Sequence, residues 1–324
     1  MTHRRRPSRW RGVRDVRPLA ASEITGTWAT LLLPIDERDG IDFGALEAEI
    51  DAIVAARVSG VYSNGTAGEF HTQSEDEFDR VNELLARRCE AAGLPFQIGA
   101  SHMSAQISRE RLRRAKALRP SAFQVILPDW FPLVDEEALR FLETMAAEAE
   151  PIGLVLYNPP HAKRVLPPET IAMLADRVPQ LVGVKVAAGD ESWFKRLGPA
   201  LRRLSVFTPG HQLATHFPLG SSGAYSNVAC LNPAKAHAWF ELMKRDLPAA
   251  QAMQGRLQRF FARHITPYIT ERGYANAAVD KLLAAIGNWA PLVTRMRWPY
   301  RTIPPDDAAR LRTIAEAELT DFVA

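Results

Sequence analysis

Leu181-Val182-Gly183-Val184-Lys185-Val186, running into Ala187-Ala188-Gly189, decides the reading of this chain. A short β-branched run that stops at a loop is the pattern of a buried parallel strand. Lys185 stands at its end. Burying an ammonium is costly, so such a lysine tends to lose its proton. A neutral amine in a pocket attacks carbonyl carbons and forms a Schiff base. The alternative is a lysine whose stem lies on the core while its head reaches water or a carboxylate.

Similar runs recur along the chain: Trp28–Leu33, Gly60–Ser63, Phe96–Ala100, Phe123–Leu127, Gly153–Tyr157, Leu204–Phe207 and Gly223–Ser226. With the lysine run they make eight, and amphipathic helices separate them. This alternation predicts an α/β fold, a (β/α)8 TIM barrel with a C-terminal helical extension. Asp42 is placed to cap a helix over 43–56, and Ser74 with Glu77 forms a capping box. Pro167-Pro168-Glu169 opens another helix. After Pro233 only helices are expected, at about 234–246, 248–266, 274–286 and 305–322. A doubly wound open sheet is disfavoured, because no Gly-rich phosphate loop follows the first strand. The expected division is a basic arm over 1–22, a barrel over 23–247 and a helical region over 248–324.

The chain has 324 residues, 47% of them hydrophobic and 24% charged, with a net charge of +3. Residues 1–17 hold seven arginines against one aspartate, so the excess positive charge belongs to this arm. It reads as disordered, or as the product of a start codon placed too early, and no nucleic-acid partner is expected. No apolar stretch is long enough for a membrane span. Cys89 and Cys230 are far apart and fit a reducing cytoplasm. No His/Asp/Glu grouping has metal-site spacing, and neither metal nor cofactor is expected. Asp190-Glu191 and Asp306-Asp307 read as solvated helix starts.

In an α/β barrel the site lies at the C-terminal ends of the strands. The second run ends in Ser63-Asn64-Gly65-Thr66-Ala67-Gly68-Glu69. Gly65 and Gly68 let the backbone turn sharply and present amides beside the Thr66 hydroxyl, a cradle suited to a carboxylate. The fifth run ends in Tyr157-Asn158-Pro159-Pro160, a phenol at a stiffened position. It is either a core tyrosine or a proton shuttle. Amine, phenol and cradle together are what a 2-oxo acid needs to become an enamine. His71, just past the Gly-rich turn, and His161, just past Tyr157, could each line the mouth, and His211 after the seventh strand could face substrate; each reads more naturally as a loop histidine than as a catalyst.

These segments resemble the dihydrodipicolinate synthase / N-acetylneuraminate lyase family of class I, pyruvate-type aldolases. The likeness runs from about Ile24 and rests on Gly26-Thr27-Trp28-Ala29-Thr30 with Pro34, Gly65 to Glu69, Tyr157 to Pro160 and Gly183-Val184-Lys185. Gly223-Ala224-Tyr225-Ser226-Asn227 and the stretch from Lys281 to Gly287 extend it. The resemblance implies a homotetramer, Lys185 as the Schiff-base residue, Tyr157 as the shuttle and Thr66 as a ligand of the substrate carboxylate. Gly65, Ala67, Gly68, Trp130, Lys163, Arg164, His211 and Ser226 complete the expected substrate-binding set.

The chain departs from the family pattern in three places. Ala67 replaces a second hydroxyl residue in the Gly-rich turn. The synthases' relay tyrosine, which reaches a neighbouring subunit, has no counterpart in Leu127-Pro128-Asp129-Trp130-Phe131-Pro132. Ala162 stands where the synthases hold an arginine for a second carboxylate, with Lys163 and Arg164 next to it. The stretch from Trp130 to Leu133 is similar to hydratase-aldolases that take bulkier aldehydes. The expected activity is therefore a Schiff-base lyase on a 2-oxo acid rather than the lysine-biosynthetic synthase. A 2-oxo-3-deoxy sugar acid dehydratase and a non-catalytic binding member of the family are the alternatives.

Overall fold

The computed structural model describes residues 17–187 and 189–323. The eight runs become eight parallel strands that close on one another in chain order. They are β1 Gly26–Thr30, β2 Gly60–Tyr62, β3 Phe96–Gly99, β4 Ala122–Val125, β5 Leu154–Tyr157, β6 Leu181–Lys185, β7 Ser205–Phe207 and β8 Gly223–Tyr225. β8 pairs with β1 through Gly26 and Gly223, which completes the barrel.

The first strand stops short of its apolar run. Leu31 to Leu33 are buried but lie beyond β1. The Leu31 amide still donates to Tyr62 O, but that of Leu32 donates to the buried Glu49 carboxylate at 2.7 Å. A side chain thus takes the amide that would extend the ladder, and Pro34 follows.

Alternate side chains of a strand face opposite ways. The inward set here is strongly aromatic: Trp28, Tyr62, Tyr157, Phe207 and Tyr225 form one buried cluster. Tyr62 stacks on Tyr225 with ring centroids 4.1 Å apart, and Tyr225 on Phe207 at 4.8 Å. The Tyr225 hydroxyl donates to the Gln97 side chain. The outward faces carry the aliphatic core shared with the helices.

The helix signals of the sequence are realised. Asp42 accepts from Gly44 N and Ala45 N at the start of Phe43–Ala55. Ser74 and Glu77 exchange hydrogen bonds at the start of Glu75–Ala92. After the barrel come Pro233–Arg245, Leu247–Phe260, Asn276–Gly287 and Pro305–Glu318. The helix expected over 248–266 instead passes into a π turn at Phe261–Ile265 and continues as Thr266–Thr270. Pro267 has no N–H to donate to the preceding turn, so the hydrogen-bond pattern must change there.

Helix Asn276–Gly287 lies against Asn227–Leu231 at the C-terminal mouth of the barrel. A Cβ on Gly287 would sit 1.6 Å from Leu231 O, so only glycine permits this approach. At the other end, Leu19 packs beneath the barrel aromatics, and its amide donates to Ser121 O at 2.9 Å. Leu19, within the expected arm, is therefore docked on the barrel. Residues 1–16 lie outside the described residues.

Candidate active site

Tyr157 and Lys185 are register partners across β5 and β6. Their side chains accordingly rise on the same inner wall. The Lys185 ammonium nitrogen lies 5.1 Å from the centre of the Tyr157 ring. Lys185 is 8% exposed, and that exposure opens into a cavity of about 460 Å³ at the strand ends. Burial pulls its pKa down to about 8, against the attraction of Asp280. Burial likewise pushes the Tyr157 phenol up to about 12, with the hydrogen bond from Thr66 opposing.

The Gly-rich turn is held from two sides. Asn64 and Glu69 adopt left-handed backbone conformations with φ of 54° and 47°. Such values are uncommon for a glutamate and need support. Glu69 has it: its side chain is fully buried and ion-paired with the buried Lys281 of Asn276–Gly287, and it accepts from Arg297 N at 3.3 Å. Between these anchors the Thr66 hydroxyl meets the Tyr157 hydroxyl at 3.2 Å. Gly65, Ala67 and Gly68 complete the turn beside it, and Ala67 offers the cavity a methyl group only.

Thr66, Tyr157 and Lys185 therefore share one cavity, and Ala67 and His211 line it too. His211 is braced by Asn227, whose side chain meets its Nδ1 at 2.9 Å. Burial lowers the His211 pKa, against the Asn227 hydrogen bond. Ser226 does not line this cavity: its hydroxyl accepts from Ala229 N at 3.1 Å and caps the following helix.

Three expected binding residues lie outside this cavity, Arg164 among them in the wall of a second one. Trp130 is 74% exposed. Lys163 donates to Trp130 O at 3.2 Å and sits 5.0 Å from its ring centre. Arg164 donates to Leu133 O and pairs with Asp135. Both cations are thus spent on bracing the loop after β4. Asn158 closes the loop after β5 in the same region, donating to Arg164 O and accepting from Leu166 N.

Two residues gain a place at the site that the sequence does not signal strongly. Asp280 lines the Lys185 cavity from helix Asn276–Gly287. Burial pushes its carboxyl up to about 7, against the attraction of Lys185. The one signal available in the sequence is the charged pair Asp280-Lys281 inside an otherwise apolar helix. His161, read as a loop histidine, places its Nε2 3.1 Å from Thr66 Oγ1.

A second cavity of about 390 Å³ meets the first at Thr66, Tyr157 and His161. Its walls are mostly apolar, with Phe70, Ile126, Leu127, Pro132 and Leu133 among them. Among the described residues no group of three metal-binding side chains occurs, and no helix is long and apolar enough to cross a membrane. A buried amine of lowered pKa, a phenol beside it and a hydroxyl in a Gly-rich turn can together bind and activate a carbonyl compound.

The sequence profile of the Dihydrodipicolinate synthetase family matches residues 23–317. The chain is 29% identical over 274 residues to a 4-hydroxy-tetrahydrodipicolinate synthase of Sorangium cellulosum, which covers 81% of this chain and 89% of that protein. It is 26% identical over 281 residues to a probable 5-dehydro-4-deoxyglucarate dehydratase of Methylobacterium radiotolerans, covering 84% of this chain and 90% of that protein. Among solved structures, YagE of E. coli K12 in complex with pyruvate shares the fold. Its TM-score is 0.79 at 18% identity, over 91% of this chain and 99% of that one.

Proposed function

The chain belongs to the dihydrodipicolinate synthetase family, and from that premise we propose that it is a Schiff-base lyase that cleaves or forms a C–C bond next to a 2-oxo acid. The observation that carries the proposal is Lys185, a buried amine whose pKa of about 8 leaves a usable neutral fraction at neutral pH. In this reading the amine attacks the ketone carbon of the substrate. Tyr157 protonates the carbinolamine oxygen, which leaves as water. The resulting iminium withdraws electrons from the neighbouring carbon, so that its bond to hydrogen or to a second carbon can break. The amides of the turn, those of Thr66 and Ala67 among them, hold the substrate carboxylate, and the Thr66 hydroxyl stays with Tyr157. Hydrolysis of the imine returns the free amine.

The second half of the substrate occupies the adjoining apolar cavity. Among the described residues, Arg164 is the only lysine or arginine lining that cavity; its guanidinium already pairs with Asp135 and donates to Leu133 O, and Ala162 carries no charge. This supports a neutral or apolar aldehyde in preference to aspartate semialdehyde. Incubation with a panel of aldol adducts of pyruvate, scored for pyruvate release, tests the reading. Release by the native protein and none by Lys185→Ala is expected. Equal release by the variant would contradict it.

A further inference from the structure

Tyr157, Thr66 and His161 form a continuous hydrogen-bonded line. The Tyr157 hydroxyl meets Thr66 Oγ1 at 3.2 Å, and Thr66 Oγ1 meets His161 Nε2 at 3.1 Å. The inner end is buried against Lys185. The outer end, His161, is exposed at the mouth. All three residues line both cavities, so the line runs along the boundary between them. Trp130 is exposed and lines neither cavity, and an indole could not relay a proton in any case, since it only donates.

We propose that His161 is the outer member of a proton relay contained within one chain, linking Tyr157 through Thr66 to solvent. This rests on the Schiff-base reading above. His161 does not reach the reacting carbon; it acts through Thr66. When the iminium becomes an enamine, the C3 proton of the bound 2-oxo acid passes to the Tyr157 oxygen. The phenol's own proton passes to Thr66, and that of Thr66 passes to the Nε2 lone pair of His161. The C3–H electron pair neutralises the iminium, and one positive charge appears on the imidazole. The imidazolium then releases a proton to water. Tyr157 and Thr66 end as they began, and the reverse order delivers a proton inward.

The protonation state suits the task. Loss of hydration in the mouth lowers the pKa of His161, Lys185 adds to the lowering, and Asp129 opposes it. His71 also faces this ring across the second cavity. The imidazole is therefore neutral at neutral pH and able to accept. The loop that carries it is fixed by Asn158 and by the hydrogen bond from Lys163 N to Asp129 at 3.0 Å.

Pyruvate alone tests the proposal, through exchange of its methyl protons in D2O followed by proton NMR. With pyruvate saturating, Lys185 is already an imine and no longer titrates. His161→Phe keeps a ring and removes the proton carrier. It should still trap pyruvate under borohydride, while methyl exchange falls about 10²-fold. The acid limb of the exchange profile, set by the imidazole, should disappear. If the phenylalanine variant is unstable, His161→Ala is read instead, and added imidazole should restore its exchange. Trapping intact with exchange and pH profile unchanged in both variants would overturn the relay. An acid limb that survives would assign that limb to Asp280 and overturn it too. Absence of trapping in the native protein would defeat the Schiff-base reading, and the relay with it.

Discussion

Replacing Lys281 by methionine removes one half of a buried ion pair and leaves the other in place. The Glu69 side chain is 0% exposed and that of Lys281 1%. Breaking a pair at such depth typically costs about 3–5 kcal/mol, because an uncompensated charge remains. With an unfolding entropy of about 2 cal/mol/K per residue, that is a fall of about 5–8 °C in melting temperature for a chain of this size. The cost also depends on pH. Burial already raises the Glu69 pKa above its ordinary value, and losing the ammonium raises it further. A carboxyl raised in the folded state is tolerated below its unfolded pKa and destabilises as pH rises through the folded one. The deficit of Lys281→Met relative to the native chain should therefore be smaller near pH 5 than near pH 8. Adding Glu69→Gln removes the stranded charge and should recover most of the loss. The assay is differential scanning calorimetry of all three proteins at both pH values. A single variant that loses less than about 1 kcal/mol at the higher pH, or a double variant no better than the single, would refute this account.

Other substitutions read the site more directly. Tyr157→Phe keeps the aromatic packing and should lower turnover by about 10²–10⁴-fold with little change in melting temperature; unchanged kinetics with a lower melting temperature would make Tyr157 a core residue. Asp280→Asn removes the attraction that holds the Lys185 pKa up, so burial should carry that pKa below about 8. The alkaline rise of imine formation would then begin at lower pH, and a shift to higher pH would show the coupling to be wrong. A coupled assay with pyruvate and aspartate semialdehyde should show negligible synthase turnover; a kcat above about 1 per second would restore that identity.

The barrel is legible because its strands announce themselves twice, as β-branched runs and as runs that stop at Gly- or Pro-containing loops. Lys185 stands out for a related reason: a cation at the end of such a run must pair, reach water or lose its proton. Legibility fails where a side chain replaces a backbone partner. Glu49 ends β1 by taking the Leu32 amide, and nothing local to residues 28–33 signals it. It fails again where role depends on contacts remote in sequence. His161 is distinguished from other loop histidines only by Thr66, 95 residues away. Asp280 comes to Lys185 from a helix that the sequence pattern places outside the barrel. Ser226 matches a family segment, yet its hydroxyl is occupied as a helix cap. Charge and position alone bring Lys163 and Arg164 into the expected site, and neither reveals that the loop after β4 already claims both.

The central claim is that the Lys185 amine forms an imine with a 2-oxo acid. Incubation with pyruvate and borohydride, read by intact mass and then by peptide mapping, tests it most directly. The account predicts a gain of one pyruvic acid less one oxygen atom, located on Lys185 and absent from Lys185→Ala. No gain in the native protein, or the same gain in the alanine variant, would contradict it.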